Sequence, residues 1–471
     1  MPHFPAEFDE APGPRADRLR LSALDQAAAI RDGAFKSAEL VEMYLERIAR
    51  HDGRVGAFVH VMAERARRDA AEKDRLRASG RALPPFHGVP VAVKDLHMLR
   101  AAPVRFGSRA WRHLWSPVDD LTVRALRRAG FVIVGKTATS ELALLPVVET
   151  DIHPPCRNPW APDHTSGGSS GGAAAAVAAG LIPISPGSDG GGSVRIPASV
   201  CGLVGLKPTR AAIPNPHAPV DFLGMTAIGP LARSVDDAAG LADVLCGRPP
   251  GTPGSWLAAA RTPPKAGLKI ALWLQCPLDV ETAPSHVAAV RSVVARLEAL
   301  GHGVTPIPPV PVALDEFLPI YQRLFTKTPV IFESKLQPVT AWFRTEGNRH
   351  TDAQVRAALT RLAGLADAAD HGFDLLVCPT LPIQAPFIGA HGDLGPEAYF
   401  RALAPMGGFT AAWNVTGRPA LTLPWGFDWD GLPIGVQFVG RAGDDPRLLA
   451  LARQLEGDPA RREIYPMAPG A

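Results

Sequence analysis

Cysteine is scarce in this chain and follows no pattern. The five cysteines, Cys156, Cys201, Cys246, Cys276 and Cys378, are spread through 471 residues. An odd count without a CxxC pair predicts neither a disulfide framework nor a zinc site, and the thiols are read as reduced and structural. Excess charge of either sign is missing too: 49 Lys plus Arg stand against 46 Asp plus Glu, a net of +3, which gives no electrostatic footprint for nucleic acid. Long apolar runs are also absent. A helix that crosses a bilayer needs about 20 mostly apolar residues. The candidate is the uncharged stretch 165–188, 24 residues between His164 and Asp189. It fails because six glycines and five serines break it, and its apolar part, 173–184, contains Gly180 and Pro183. Residues 1–20 lack the apolar segment of a secretory signal, so a cytoplasmic protein without a membrane partner is expected. Fourteen histidines form no HExxH, and Gly205-Leu206-Lys207-Pro208-Thr209 puts proline where a phosphate-binding loop must begin its helix. No cofactor and no metal are therefore expected.

Glycine and proline, in contrast, abound. They number 45 and 48, about a fifth of the chain, where roughly 12% is usual and roughly 25–30% would signal low complexity. With 46% hydrophobic residues the chain can bury a sizeable core, and its length allows one large or two to three ordinary domains. Residues 1–80 carry helical signals: Ser22 with Asp25 reads as an N-cap, and Ser37 precedes Leu40, Val41, Tyr44, Leu45 and Ile48 at helical spacing, with Gly53 as the expected stop. Short apolar runs then alternate with amphipathic stretches. The runs 89–93, 131–134, 269–273, 375–377, 420–423 and 434–439 read as buried strands, and 120–128, 234–245 and 286–300 as helices, the pattern of an α/β chain. Residues 248–265, with two Pro-Pro pairs, read as a surface connection. Residues 313–370 are helical in pattern and rich in bulky side chains, among them Phe317, Tyr321, Phe325, Phe332, Trp342 and Phe343. That segment either packs on the sheet or lines a substrate pocket.

Chemistry concentrates in two clusters of small residues, Ser166-Gly167-Gly168-Ser169-Ser170-Gly171-Gly172 and Ser188-Asp189-Gly190-Gly191-Gly192-Ser193-Val194-Arg195. Three glycines before Ser193 free the backbone to gather N–H groups around one point. Such donors stabilise an oxyanion by roughly 3–4 kcal/mol each, so Ser193 is a candidate nucleophile. A flexible linker is the plain alternative, made less apt by the helix-forming alanines 173–179 between the clusters. Two bases are available. Residues 167–171 match GxSxG, with Asp374 and His391 following in the order of an α/β-hydrolase triad, but the proline-rich 154–162 cannot supply the strand that must precede such an elbow. Lys94 ends a buried apolar run, where desolvation would free a neutral amine; an ordinary charge at a strand end is the alternative.

Val93-Lys94-Asp95, both clusters and Cys201-Gly202-Leu203-Val204-Gly205-Leu206-Lys207-Pro208-Thr209 together resemble the amidase signature hydrolases, and Ser169 and Ser193 stand 24 residues apart, as that family's catalytic serines do. Further matches are Gly135-Lys136-Thr137, 228–234, 374–380, 414–419 and 432–440. The resemblance implies an α/β fold with a large mixed, twisted sheet covered by helices on both faces. It implies a single domain over 1–471, with a helical region 1–80, a catalytic core 88–245, a substrate-side helical segment 313–370, and strands and a helix returning to the core in 371–471. It further implies a Ser-cisSer-Lys triad. Ser193 attacks, Ser169, following a cis peptide, relays the proton, and Lys94 receives it. Gly190, Gly191, Gly192 and Ser193 provide oxyanion amides, Ser170, Asp189 and Arg195 orient the site, and an acyl-enzyme forms on Ser193.

The chain departs from the family at Thr137-Ala138-Thr139-Ser140-Glu141-Leu142, where Thr-Asn-x-x-Glu-Phe is usual, and at Ser188, where Thr is usual. The first change is expected to reshape the pocket wall and the second to leave the triad unaffected. Residues 144–149 with Asn158-Pro159-Trp160 resemble members that hydrolyse nylon oligomers and related synthetic amides, including urethane-cleaving ones. Expected substrates are small, largely apolar amides, aryl esters or carbamates, with Leu144, Leu145, Phe325, Phe332, Met406 and Trp413 as pocket candidates and a monomer or homodimer as the assembly. A glutaminyl-tRNA amidotransferase-type subunit is the family alternative, although the tyrosine- and arginine-containing segment typical of it is not found in 313–371.

Overall fold

The computed structural model describes residues 4–458 apart from 12, 279 and 310–312. Its strands are β1 (Phe58–Val61), β2 (Pro90–Lys94), β3 (Val132–Thr137), β4 (Ile184–Asp189), β5 (Val204–Lys207), β6 (Ala227–Ala232), β7 (Lys269–Leu272), β8 (Gly303–Pro306), β9 (Leu375–Pro379), β10 (Ala420–Phe427) and β11 (Pro433–Val439). Eight form one mixed sheet in the order β4-β6-β5-β10-β11-β9-β7-β8, and three form a small sheet in the order β1-β3-β2. Neighbours from β4 to β9 run antiparallel, and β9-β7-β8 run parallel.

Alternation of side chains about the pleat divides the apolar residues between two cores. Ala420, Val439, Leu376, Cys378 and Ala271 face one core, which is shared with the helices Ser37–Val55 and Gly171–Ala178 and with the aromatic residues of Leu314–Phe325 and Pro338–Gly347. Leu421, Leu423, Val436, Phe438, Leu375 and Val377 face the other, closed by the helices Val235–Cys246, Pro284–Ala299 and Asp445–Glu456. Helices thus cover both faces, as expected. Among the described residues no helix is long and apolar enough to cross a membrane.

All six expected strands form, with ends shifted by at most four residues. Gly53 is not a stop: the helix continues to Val55, and Gly56, at φ 67° with its N–H donated to Asp52 O at 2.7 Å, ends it. A glycine inside a helix costs only about 1 kcal/mol, whereas the left-handed residue that closes one favours glycine strongly. The helical region 1–80 also contains β1, and the connection 248–265 contains the short helix Trp256–Ala260. Strands β4, β5 and β6 carry glycine, proline and serine in place of a β-branched pattern and were not legible as strands.

Candidate active site

The site lies where the two sheets meet. β2 and β4 run side by side, tied by Ser185 Oγ donating to Ala92 O at 3.1 Å, so Lys94 at the end of β2 arrives beside Ser188 and Asp189 at the end of β4. The helix Gly171–Ala178 begins at the same place, with Ser169 and Ser170 immediately before it and a cis peptide between Gly168 and Ser169. Its approach to β4 requires glycine: a Cβ at Gly187 would sit 2.9 Å from Ser170 Oγ. The two serine segments are further joined by the Ser170 N–H, which donates to Ser193 O at 3.2 Å.

Lys94 is fully buried. Its Nζ donates to Ser169 Oγ at 2.7 Å and to Ser170 Oγ and Ser188 Oγ at 2.9 Å. Burial brings its pKa well below the ordinary lysine range, and Asp189 opposes that only in part. Asp95, next in sequence, is no counter-ion, because its carboxylate is paired with Lys136 Nζ at 2.6 Å. Ser188, where the family usually has Thr, meets the lysine through the hydroxyl that both residue types carry.

The loop after β4 is built around one buried ion pair. Asp189 Oδ1 accepts the Gly192 N–H at 2.8 Å, Oδ2 accepts the Val194 N–H at 3.2 Å, and Arg195 reaches both oxygens, Nε to Oδ2 at 3.0 Å and the terminal nitrogen to Oδ1 at 2.9 Å. Burial pushes the Asp189 carboxyl up, but Arg195, together with Lys207 and Asn414, outweighs it and holds the group well below the usual range. Arg195 also donates to Thr410 O at 2.9 Å, Gln437 Oε1 at 2.7 Å and Asn414 Oδ1 at 2.7 Å, and Thr410 Oγ1 donates to Gly191 O at 2.7 Å. Gly192, at φ 130°, has no room for a Cβ because Thr410 occupies the space. Its N–H is committed to Asp189. The N–H groups of Gly190, Gly191 and Ser193 have no acceptor among the described residues, and neither has the Ser193 hydroxyl.

Two cavities open at this point. One, of about 70 Å³, is lined by Ser193, Gly191 and Leu144; the other, of about 390 Å³, by Ser169, Ser188, Gly190 and Phe325; Tyr321 borders both. From the segment 313–370, Leu314, Phe317, Tyr321, Leu324 and Phe325 line the cavities, while its helices share the core on that side of the sheet. Leu145, Met406 and Trp413 line neither cavity. All three are core residues, Trp413 with its ring against Trp273 and under the Arg418 guanidinium. Phe332 is exposed and pairs with Lys335. The Ser169-Asp374-His391 arrangement is not assembled: Ser169 is bonded to Lys94, Asp374 accepts the Lys269 N–H at 2.8 Å, and no hydrogen bond joins either to His391 among the described residues. Sequence reading gave no role to Thr410, Asn414 or Gln437, and named Tyr321 only as one of the bulky residues of a packing or pocket-lining segment. Asn414 and Gln437 lie in segments that carry the family resemblance and could have been marked; nothing local singles out Thr410.

Residues 39–449 match the profile of the family named Amidase. A Mycobacterium tuberculosis protein assigned as an amidase, AmiB2, is 39% identical over 447 residues, 92% of this chain and 95% of that one. A glutamyl-tRNA(Gln) amidotransferase subunit from a Synechococcus species is 34% identical over 464 residues, 90% of this chain and 94% of that one. The solved structure of 6-aminohexanoate cyclic dimer hydrolase superposes with a TM-score of 0.84 at 32% identity, covering 93% of this chain and 97% of that one. With a family match over most of its length and relatives alike in sequence and fold, the chain belongs to the amidase signature family and is a hydrolase acting on amide bonds.

Proposed function

We propose that the chain hydrolyses small, largely apolar amides through an acyl-enzyme on Ser193, with Ser169 and Lys94 moving the proton. The observation that carries this reading is a buried lysine amine in contact with three serine hydroxyls and with no carboxylate bonded to it. A neutral Nζ has two N–H donors and one lone pair. With Ser170 and Ser188 accepting the two, the lone pair is free to receive the proton of Ser169. Ser193 Oγ attacks the carbonyl carbon and passes its proton to Ser169 as Ser169 passes its own to Lys94; the hydroxyl contact between the serines closes as substrate arrives. The oxyanion is met by N–H groups of Gly190, Gly191 and Ser193, while Gly192, Asp189 and Arg195 hold the loop. Lys94 then returns its proton through Ser169 to the departing amine, and water releases the acid from Ser193. Esters and carbamates fit the same route, and cyclic amides such as the dimer named for the similar hydrolase belong to the same chemical class.

Ser193→Ala is expected to abolish amide hydrolysis and to lose labelling by a fluorophosphonate, which in the parent chain adds to Ser193 and is located by peptide mass spectrometry. Undiminished turnover in that variant would overturn the reading. The likeness to a glutamyl-tRNA(Gln) amidotransferase subunit supports a second reading, a role as one subunit of such a complex, which co-purification with partner subunits would establish.

A further inference from the structure

The two cavities differ in size, in lining and in which serine they carry. The smaller holds Ser193 and, apart from that residue and Tyr321, only apolar or glycine lining among the described residues, such as Ile196, Leu314 and Phe317. The larger holds Ser169 and Ser188 and has polar groups in its wall, among them Asp120 and His217. Tyr321 is shared by both and is held rigidly: its hydroxyl donates to Leu144 O at 3.2 Å, and its ring contacts Phe317, Phe325 and Phe343 with centroids 4.9–5.8 Å away.

We propose that Tyr321 is a partition that sorts the two halves of the substrate, the acyl group into the small apolar cavity beside Ser193 and the amine into the large one beside Ser169. This rests on the mechanism above, in which Ser169 delivers the proton to the leaving amine and so must stand on the amine's side. Size then fixes the class. An engineered closed apolar cavity of about 150 Å³ takes up benzene; the acyl side, at about 70 Å³ and partly open, favours a short acyl group over an aryl ring, and at about 390 Å³ the amine side accommodates a ring with substituents. Among the described residues no charged side chain lines the small cavity, so an acyl group ending in an ammonium or carboxylate meets no described partner to offset its desolvation. The substrates inferred are short, neutral acyl amides of bulky amines, such as acetyl or propionyl anilides.

The test is a kcat/KM ranking on the full chain with p-nitroanilides of acetate, propionate, octanoate, benzoate and 6-aminohexanoate, and with benzamide. The acetyl and propionyl anilides are expected to exceed the other four by at least 10-fold. In Tyr321→Ala, which joins the cavities, the octanoyl and benzoyl anilides should gain at least 10-fold relative to the acetyl compound, whereas Tyr321→Phe, which keeps the ring, should retain the parent ranking. A parent chain that prefers benzamide, octanoyl or 6-aminohexanoyl substrates overturns the partition, and that result does not depend on whether Tyr321→Ala folds. Ser193→Ala separates the two levels: turnover surviving there removes the mechanism, while a reversed ranking abolished by Ser193→Ala removes only the partition.

Discussion

In the proposed mechanism Lys94 has to be uncharged, and its surroundings favour that form by exclusion. The side chain lies wholly inside the protein, its partners are hydroxyls, and the adjacent Asp95 is occupied by Lys136. Because burial lowers the pKa in the folded state, the neutral form persists to lower pH than for an exposed lysine and is lost as pH falls through that lowered value. The activity profile should therefore show an acid limb with the slope of one proton, and Lys94→Ala should lower kcat by roughly 10⁴-fold, by analogy with other catalytic triads. A profile without any acid limb in the pH range where the parent chain stays folded would contradict this. For stability the sign is the same. The unfolded chain carries its lysine proton up to about 10.4, above the folded value, so unfolding takes up a proton and the stability contribution of this group grows as pH rises through that interval. The position of Lys94 at the end of an apolar run was legible from sequence. Its three hydroxyl partners come from segments 75 to 94 residues away, which local pattern does not encode.

The loop from Asp189 to Arg195 is an element whose shape is fixed from inside by one carboxylate and one guanidinium. Lysine in place of Arg195 cannot reach Asp189, Thr410, Asn414 and Gln437 at once, since it lacks the planar set of donors. Arg195→Lys is expected to lower kcat by about 10²-fold while leaving KM for a small anilide little changed, as measured by steady-state kinetics. Gly192→Ala should be as damaging, because its Cβ has no space beside Thr410 and its φ lies in the left-handed region; a fully active Gly192→Ala would show that the loop is not held as described. The glycine run was readable as a donor loop, yet which glycine faces inward was not, because an N–H is committed only once Asp189 folds back on it. Strand β4 makes the same point. Ile-Ser-Pro-Gly-Ser-Asp has little strand propensity, and it is extended because β6 pairs with it along its whole length.

Across the whole molecule the elements are cross-tied far from the site. Arg47 donates to Gly180 O at 2.9 Å, the Ala23 N–H donates to Asp237 Oδ2 at 2.8 Å, and the Thr209 N–H donates to Asp445 Oδ1 at 2.8 Å. These ties join the helical region 1–80, the core 88–245 and the returning segment 371–458, so the proposed single domain should unfold in one calorimetric transition, two resolved transitions being the contrary result. Asp370, buried, accepts from Arg418 at 2.7 and 2.9 Å and from Arg441 at 3.0 Å. Asp370→Ala strands these guanidiniums and should cost about 3–5 kcal/mol in denaturant unfolding, with kcat/KM of the folded enzyme unchanged. By itself the sequence determined the α/β class, the two serine clusters, the lysine and the family, because periodicity, glycine content and motif spacing are local properties of the chain. Only the tertiary structure decided which hydroxyls surround Lys94, which amide turns inward to Asp189, that Leu145, Met406 and Trp413 belong to the core, and that Tyr321 stands between two unequal cavities. Those outcomes depend on which distant segments share a space, and packing alone settles that.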